Sequence, residues 1–140
     1  MAVSIPAQGQ EIPTFRRTQG FPVWNRFAAV NAEFFDLHMD DEAARVIGYP
    51  SAIGMGHHQW AYLHALLESW MGDEGDVLRL SCQFRGLNLK GAIVTAHGRV
   101  EGSHPSGDRL LVDLDVWVER DDGARIVSGE ATVAVHSAGA

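Results

Sequence analysis

The run His57-His-Gln-Trp-Ala-Tyr-Leu-His-Ala-Leu-Leu-Glu-Ser-Trp-Met71 decides the fold. Leu63, Leu66, Leu67 and Trp70 fall on one side at helical spacing, and Trp60 and Ala61 widen that stripe until most of the circumference is apolar. Such a helix is expected to be buried on several sides. Everything after Gly72 reads as strand. Val77, Leu80, Cys82 and Phe84 make a first strand of imperfect alternation, and Ile93 to Val100 a second, after a Gly86 to Gly91 connection. Val112, Leu114, Val116 and Val118 alternate with Asp113, Asp115, Trp117 and Glu119, and Ala131, Val133 and Val135 keep phase in a last strand. Asp121-Asp122-Gly123 between these two is a hairpin turn signal. One long apolar helix followed by four antiparallel strands predicts an α+β layer, a curved antiparallel sheet wrapped around the helix. That sheet leaves an edge and a face to protect, which points to self-association.

Upstream, Val23, Phe27 and Val30 fall near helical spacing, with Trp24 and Ala28 beside them, so Pro22 to Ala32 is expected to be a short helix that delivers Glu33. Asp40 is placed to cap a helix over Asp41 to Ile47, with Gly48 as its stop and Pro50 forcing an extended restart. Residues Met1 to Thr18, with Pro6 and Pro13, read as an arm lying across the domain, holding one extended candidate from Ile12 to Arg16. No internal repeat or low-complexity tract is present, and residues 1–140 are expected to form one domain.

The 140 residues are 46 % apolar and 21 % charged, ordinary values for a globular chain. A formal net charge of -7 argues against nucleic acid or an anionic membrane as partner, because phosphate binding needs clustered Lys and Arg. A single cysteine, Cys82, excludes an intramolecular disulfide framework and a cysteine-built zinc site. With no leader signal and no apolar run of about 18 residues, a cytoplasmic location is expected.

The chemistry-bearing residues lie between Glu33 and Gly56: two acids, Glu33 and Asp36, an imidazole at His38, and two glycines, Gly54 and Gly56, ahead of the apolar helix. An acid and a base near neutrality can move protons, and a glycine-opened helix start leaves amides free to hold an oxyanion. Phe34, Phe35 and Leu37 would withdraw the carboxylate from water. Asp36 reads either as a turn-forming acid or as a second carboxylate for proton transfer. His57, His58 and His64 are the one metal-like grouping, but no acid or cysteine has matching spacing and HExxH is absent, so no metal is expected. No nucleophile elbow, phosphate loop or dinucleotide glycine pattern occurs.

Phe27-Ala-Ala-Val-Asn-Ala-Glu-Phe-Phe-Asp-Leu-His-Met-Asp-Asp-Glu-Ala-Ala, then Gly48-Tyr-Pro, Gly56 with Gln59, Tyr62-Leu63, Trp70, Phe84-Arg85 and Lys90-Gly91, resembles the MaoC-like dehydratases, which include the (R)-specific enoyl-CoA hydratases of hot-dog fold. The resemblance runs from Phe27 to Val100 in order and spacing. It implies reversible addition of water to a 2-enoyl-CoA thioester, with no metal or redox cofactor and coenzyme A present as part of the substrate. The family pattern is Asp-x-Asn-Pro-x-His followed by a His-Gly pair. By position the catalytic acid falls on Glu33, the imidazole on His38 and the oxyanion-binding amide on Gly56. Here Glu33 stands for Asp, Phe35 for Asn, Asp36 for Pro and Met55 for His. Asp36 and His57 are further candidates for the site, His57 as a wall of the thioester channel. Phe35 and Met55 are candidate substrate contacts, and Arg85, Lys90 and Arg79 candidate partners of the coenzyme A phosphates.

The resemblance also implies a dimer or a heteromer. The Phe-x-Asp-x-His form is closer to the small chain of two-chain MaoC-like hydratases than to the homodimeric ones. The alternative expectation is therefore an acyl-thioester-binding subunit that is non-catalytic or needs another MaoC-like chain.

Overall fold

The computed structural model describes residues 3–136. The long helix α3, Gly56–Met71, lies in the hollow of a five-stranded, wholly antiparallel sheet. The strands β1 Phe15–Thr18, β2 Gly75–Phe84, β3 Ile93–Ser106, β4 Arg109–Arg120 and β5 Arg125–His136 pair in the order β1-β3-β4-β5-β2. The α+β, helix-in-sheet expectation therefore holds, with one correction: the sheet has five strands, because Phe15 to Thr18 of the arm pairs with Ile93 to Ala96. The extended candidate at Ile12 to Arg16 is displaced toward the C-terminus. Ile12 instead buries its side chain in the core while its amide donates to Gly98 O. Residues 1 and 2 of the arm lie outside the described residues.

Strict alternation on β4 works as expected, since Val112, Leu114, Val116 and Val118 all point at α3 and are buried. β3 and β4 run longer than their apolar alternation suggested and meet in a tight turn at Gly107 and Asp108, where Gly107 takes φ +63°. The second turn, Asp121 to Ala124, closes by Arg120 N–H to Ala124 O and by Gly123, at φ +87°, donating to Arg120 O. Irregularities at Val77/Arg79, Val100/Gly102 and Val118/Glu119 break the ladders where the sheet curls.

α3 is buried on more than one side, as expected, for His58 stacks on Phe27 and Tyr62 packs beside it, both buried away from the outer side. Leu63, Leu66, Leu67 and Met71 enter the sheet's hollow, while Trp60 is 40 % exposed and Ala61 half-buried on the outer side. The apolar circumference overstated burial where Trp60 and Ala61 line a surface groove.

α1, Phe21–Asn31, crosses α3 and builds a second small core from Trp24, Ala28, Ala52 and Met55. A buried polar network fixes this crossing. Trp24 Nε1 and Asn88 Nδ2 both donate to Gln19 Oε1, at 3.0 and 2.7 Å, and Gln19 Nε2 donates to Tyr62 Oη at 3.0 Å. α2, Asp41–Val46, starts at Asp40, whose carboxylate accepts from the Glu42 and Ala43 amides, and stops at Gly48 with φ +102°. No described helix is long and apolar enough to cross a membrane.

Candidate active site

The segment from Ala32 to Gly56 leaves α1 and returns to the start of α3. Ala32 takes the left-handed conformation, φ +53°, alone among the described non-glycine residues, and its amide and that of Glu33 both turn back to Ala28 O. The turn swings Glu33 off the helix toward α3. Glu33 Oε2 meets His57 Nδ1 at 3.4 Å, with the Glu33 side chain 29 % exposed and that of His57 70 %.

A 3-10 turn, Asp36–His38, follows. His38 Nδ1 lies 2.8 Å from Ile53 O, and the Ile53 amide donates to Leu37 O at 3.2 Å, so two bonds clip the turn to the segment ahead of α3. Because a carbonyl only accepts, Nδ1 carries the proton and the Nε2 lone pair remains available to take one. His38 thus has the tautomer a base requires.

The two glycines do different things. Gly54 donates its amide to Asn88 O at 2.8 Å, and a Cβ there would sit 2.3 Å from Asn88 Nδ2, so Gly54 serves close packing. Gly56 is the first residue of α3, where amides have no intrahelical acceptor, and a Cβ there would sit 2.8 Å from Phe84 Cε2. A ligand oxygen at this amide would have the exposed Phe84 ring as its neighbour.

The remaining sequence candidates divide. Phe35 is 60 % exposed, its ring 6.0 Å from that of His38, and Phe34 is 66 % exposed, so neither closes over the carboxylate within one chain. Asp36 is exposed, and it is its backbone carbonyl that holds the turn, accepting from the Met39 and Asp40 amides. Met55 is fully buried against Trp24, Ala28 and Ala52, which makes it core rather than a surface for substrate. Lys90 is paired with Asp41 and stands over the Phe21 ring, 4.7 Å from its centroid. The Lys90 ammonium, and after it the Ala52 amide, hold the Asp41 carboxyl below the usual carboxylate range. Arg85 donates to Gln83 Oε1. Arg79 lines a depression shared with Glu101, Asp113, Asp115 and Glu130, acids that would repel a phosphate. The three histidines of α3 do not converge: His57 faces out, and His58 is buried.

Beside His57 a groove of about 410 Å³ runs along α3, walled by Phe27, Asn31, Trp60, Ala61 and His64. Trp60 and His64 meet edge to face at 5.2 Å. This wall was legible only as core-type spacing, since nothing local to α3 says which of its apolar residues face away from the sheet.

A search of curated protein sequences finds no match. Among solved structures, the chain is similar to an (R)-hydratase from A. caviae involved in PHA biosynthesis, with 26 % identity, TM-score 0.81, and coverage of 91 % of this chain and 96 % of that one. It is similar also to the R-hydratase PhaJ1 from Pseudomonas aeruginosa, with 20 % identity, TM-score 0.83, and coverage of 96 % and 90 %. A third is the ChsH1-ChsH2 complex from Mycobacterium tuberculosis, with 15 % identity, TM-score 0.82, and coverage of 94 % and 100 %. The latter two share the fold, and this is the hot-dog fold of the hydratases. The model of the MaoC like domain matches residues 23–120, which hold most of α1, the Glu33 to His38 segment and all of α3, and the chain therefore belongs to the MaoC-like domain family.

Proposed function

We propose that this chain is a hydratase/dehydratase that adds water reversibly to a 2-enoyl thioester of coenzyme A, giving the 3-hydroxyacyl thioester. The observation that carries the reading is the fixed tautomer of His38, whose Nδ1 is committed to Ile53 O and whose Nε2 is left as a base on the segment that also presents Glu33. Glu33 and His38 hold one water. As its oxygen bonds to C3 of the thioester, its proton passes to His38 Nε2, and a proton is returned to C2, so one water adds across the double bond and the pair is restored. The charge that develops on the thioester oxygen is taken by the Gly56 amide at the start of α3. His57 gives the Glu33 carboxylate an anchor, which offsets the freedom of the longer side chain where the family pattern has Asp. No metal or redox cofactor takes part in this scheme, and coenzyme A enters with the substrate.

A second reading is favoured by a specific observation. Val30, Phe34, Phe35 and Phe84 are 85, 66, 60 and 51 % exposed, large apolar side chains that a single chain leaves uncovered, with Phe34 and Phe35 between Glu33 and His38 and Phe84 against Gly56. A second MaoC-like chain, identical or unlike as in the ChsH1-ChsH2 complex, would cover them and complete the site. On that reading the isolated chain binds acyl thioesters and turns over only with its partner.

The test follows loss of enoyl-thioester absorbance for a short and a bulky 2-enoyl-CoA. The wild type is expected to turn over, His38→Ala to lose about a hundredfold to ten-thousandfold, and Glu33→Gln to lose a comparable factor, with circular dichroism unchanged. Wild-type turnover that survives both substitutions sinks the acid/imidazole scheme. Binding of the thioester without turnover, restored to turnover by a co-purified unlike chain, selects the second reading.

A further inference from the structure

A second groove, of about 370 Å³, lies where α1 passes over α3 and β1, and its walls include Val23, Phe27, His58, Tyr62, Arg17 and Arg26. Apart from Asn31, whose Nδ2 already donates to Phe27 O at 3.2 Å, its polar side chains can donate. Arg17 and Arg26 are cations with no acidic partner among the described residues; the Arg17 guanidinium rests over the Phe15 ring at 4.0 Å. Tyr62 Oη accepts from Gln19 Nε2, which leaves its own O–H to donate. His58 is 7 % exposed, and its buried Nδ1 has no hydrogen-bond partner. Its ring is stacked on Phe27 at 4.3 Å and tilted against Tyr62 at 4.4 Å, so it has no freedom to turn and find one. That nitrogen is closed off from solvent, so the ring enters the groove as a wall and not through Nδ1. No acid lines this groove, on a chain with 18 acidic and 11 basic residues.

We propose that this groove binds a carboxylate carried on a short apolar chain. The two guanidinia take the carboxylate charge, the Tyr62 hydroxyl supplies a neutral donor, and Val23 and Phe27 receive the chain. Burial pushes the His58 imidazole down to about 4, so at neutral pH the ring adds no charge to the groove. Phe27 and Asn31 also wall the groove beside His57, so the carboxylate arrives either as a free acid or as the far end of a longer molecule lying across both grooves.

The site stands on its own donors, and its test needs no turnover. Hexanoate is titrated into the ¹⁵N-labelled full-length chain, following the His58 ring nitrogens, with 1-hexanol and hexylammonium as controls. Saturable binding of hexanoate alone, with a shift of the His58 ring resonances as the groove fills, is expected, and R17Q/R26Q should weaken it roughly tenfold or more with the fold intact by circular dichroism. No saturable binding, equal binding of 1-hexanol, or equal binding to R17Q/R26Q overturns the proposal. In a second arm, displacement of hexanoate by a 2-enoyl-CoA supports one ligand spanning both grooves, and simultaneous binding supports a separate site for a free acid.

Discussion

The hollow of the sheet and the segment from Ala32 to His38 are held by opposite means. In the hollow, Leu63, Leu66 and Leu67 of α3 are fully buried against Val112, Val116, Val118 and Val133, and dispersion and burial fix every side chain without a single specific bond. Along the segment, Phe34 and Phe35 stand in solvent, and position is set by a few directional contacts: Ala32 and Glu33 amides to Ala28 O, His38 to Ile53 O, and Glu33 to His57. The hollow is redundant, since many contacts share its load. The segment has no such spare contacts, which suits groups that must sit at a fixed distance from a ligand yet contribute little to stability.

Substitutions should separate the two regions. Leu66→Ala is expected to lower unfolding free energy by about 2–5 kcal/mol in urea, by loss of burial plus the cavity left behind, while kcat/KM per folded molecule stays within about twofold. A cost below 1 kcal/mol would mean the hollow can collapse and is less rigid than its burial implies. The glycines draw the line more finely. Gly54→Ala drives a methyl into Asn88, which is 1 % exposed and tied to Gln19, so a loss of about 1–3 kcal/mol is expected. Gly56→Ala meets only the edge of Phe84, half exposed and free to swing, so stability should change by less than about 1 kcal/mol while turnover falls as the ring and amide shift. Equal stability losses at both positions would show that Gly56, too, is a packing residue.

His58 joins the regions and adds a pH signature. Its folded value, near 4, lies below its ordinary 6.5 because burial disfavours the charged form. The unfolded chain therefore binds a proton in a range where the folded one does not, and stability is complete above pH 6.5 and declines as pH falls toward 4. The decline should amount to about 1–3 kcal/mol, allowing for water on the groove side. Urea midpoints from pH 7 to 4 check it, and His58→Gln should flatten that part of the curve. An unchanged slope in the variant would assign the titration to other groups.

The hollow was legible in the sequence because period-2 alternation on β4 and the Leu stripe of α3 are local and point at one another. Asp40 and Gly48 announced α2 for the same reason. β1 was half visible, since a four-residue edge strand is defined by its pairing with β3 rather than by its own pattern. The turn at Gly107 and Asp108 left a usable signal, a Gly-Asp pair after Pro105-Ser106 and ahead of Leu110-Leu111-Val112. At the candidate site, the sequence offers Glu33, His38, Gly56 and His57 as candidates, whereas the Glu33 to His57 contact across 24 positions leaves no local sign. Met55 read as a substrate contact and is core, because the backbone turn at the start of α3 aims it at Trp24. His58 gave no sign that it differs from its neighbour His57, for only the helix's docking under α1 decides which imidazole is buried.

The smallest effect on stability should accompany the clearest effect on assembly. Phe34 and Phe35 make little contact with the rest of their own chain, and exposed substitutions of this kind usually change unfolding free energy by no more than about 0.5 kcal/mol. Phe34→Ser/Phe35→Ser should therefore unfold with the wild-type midpoint when compared at equal protein concentration below any association constant. If a second chain covers Val30, Phe34, Phe35 and Phe84, the same variant loses apolar burial at the interface. It should then sediment as a monomer where the wild type does not, and with the assembly go the closure over Glu33 and most of the turnover. An unchanged sedimentation coefficient with reduced turnover would make the two rings substrate contacts within one chain. An unchanged coefficient with unchanged turnover would remove them from both interface and site, and the segment's function would then rest on its directional contacts alone.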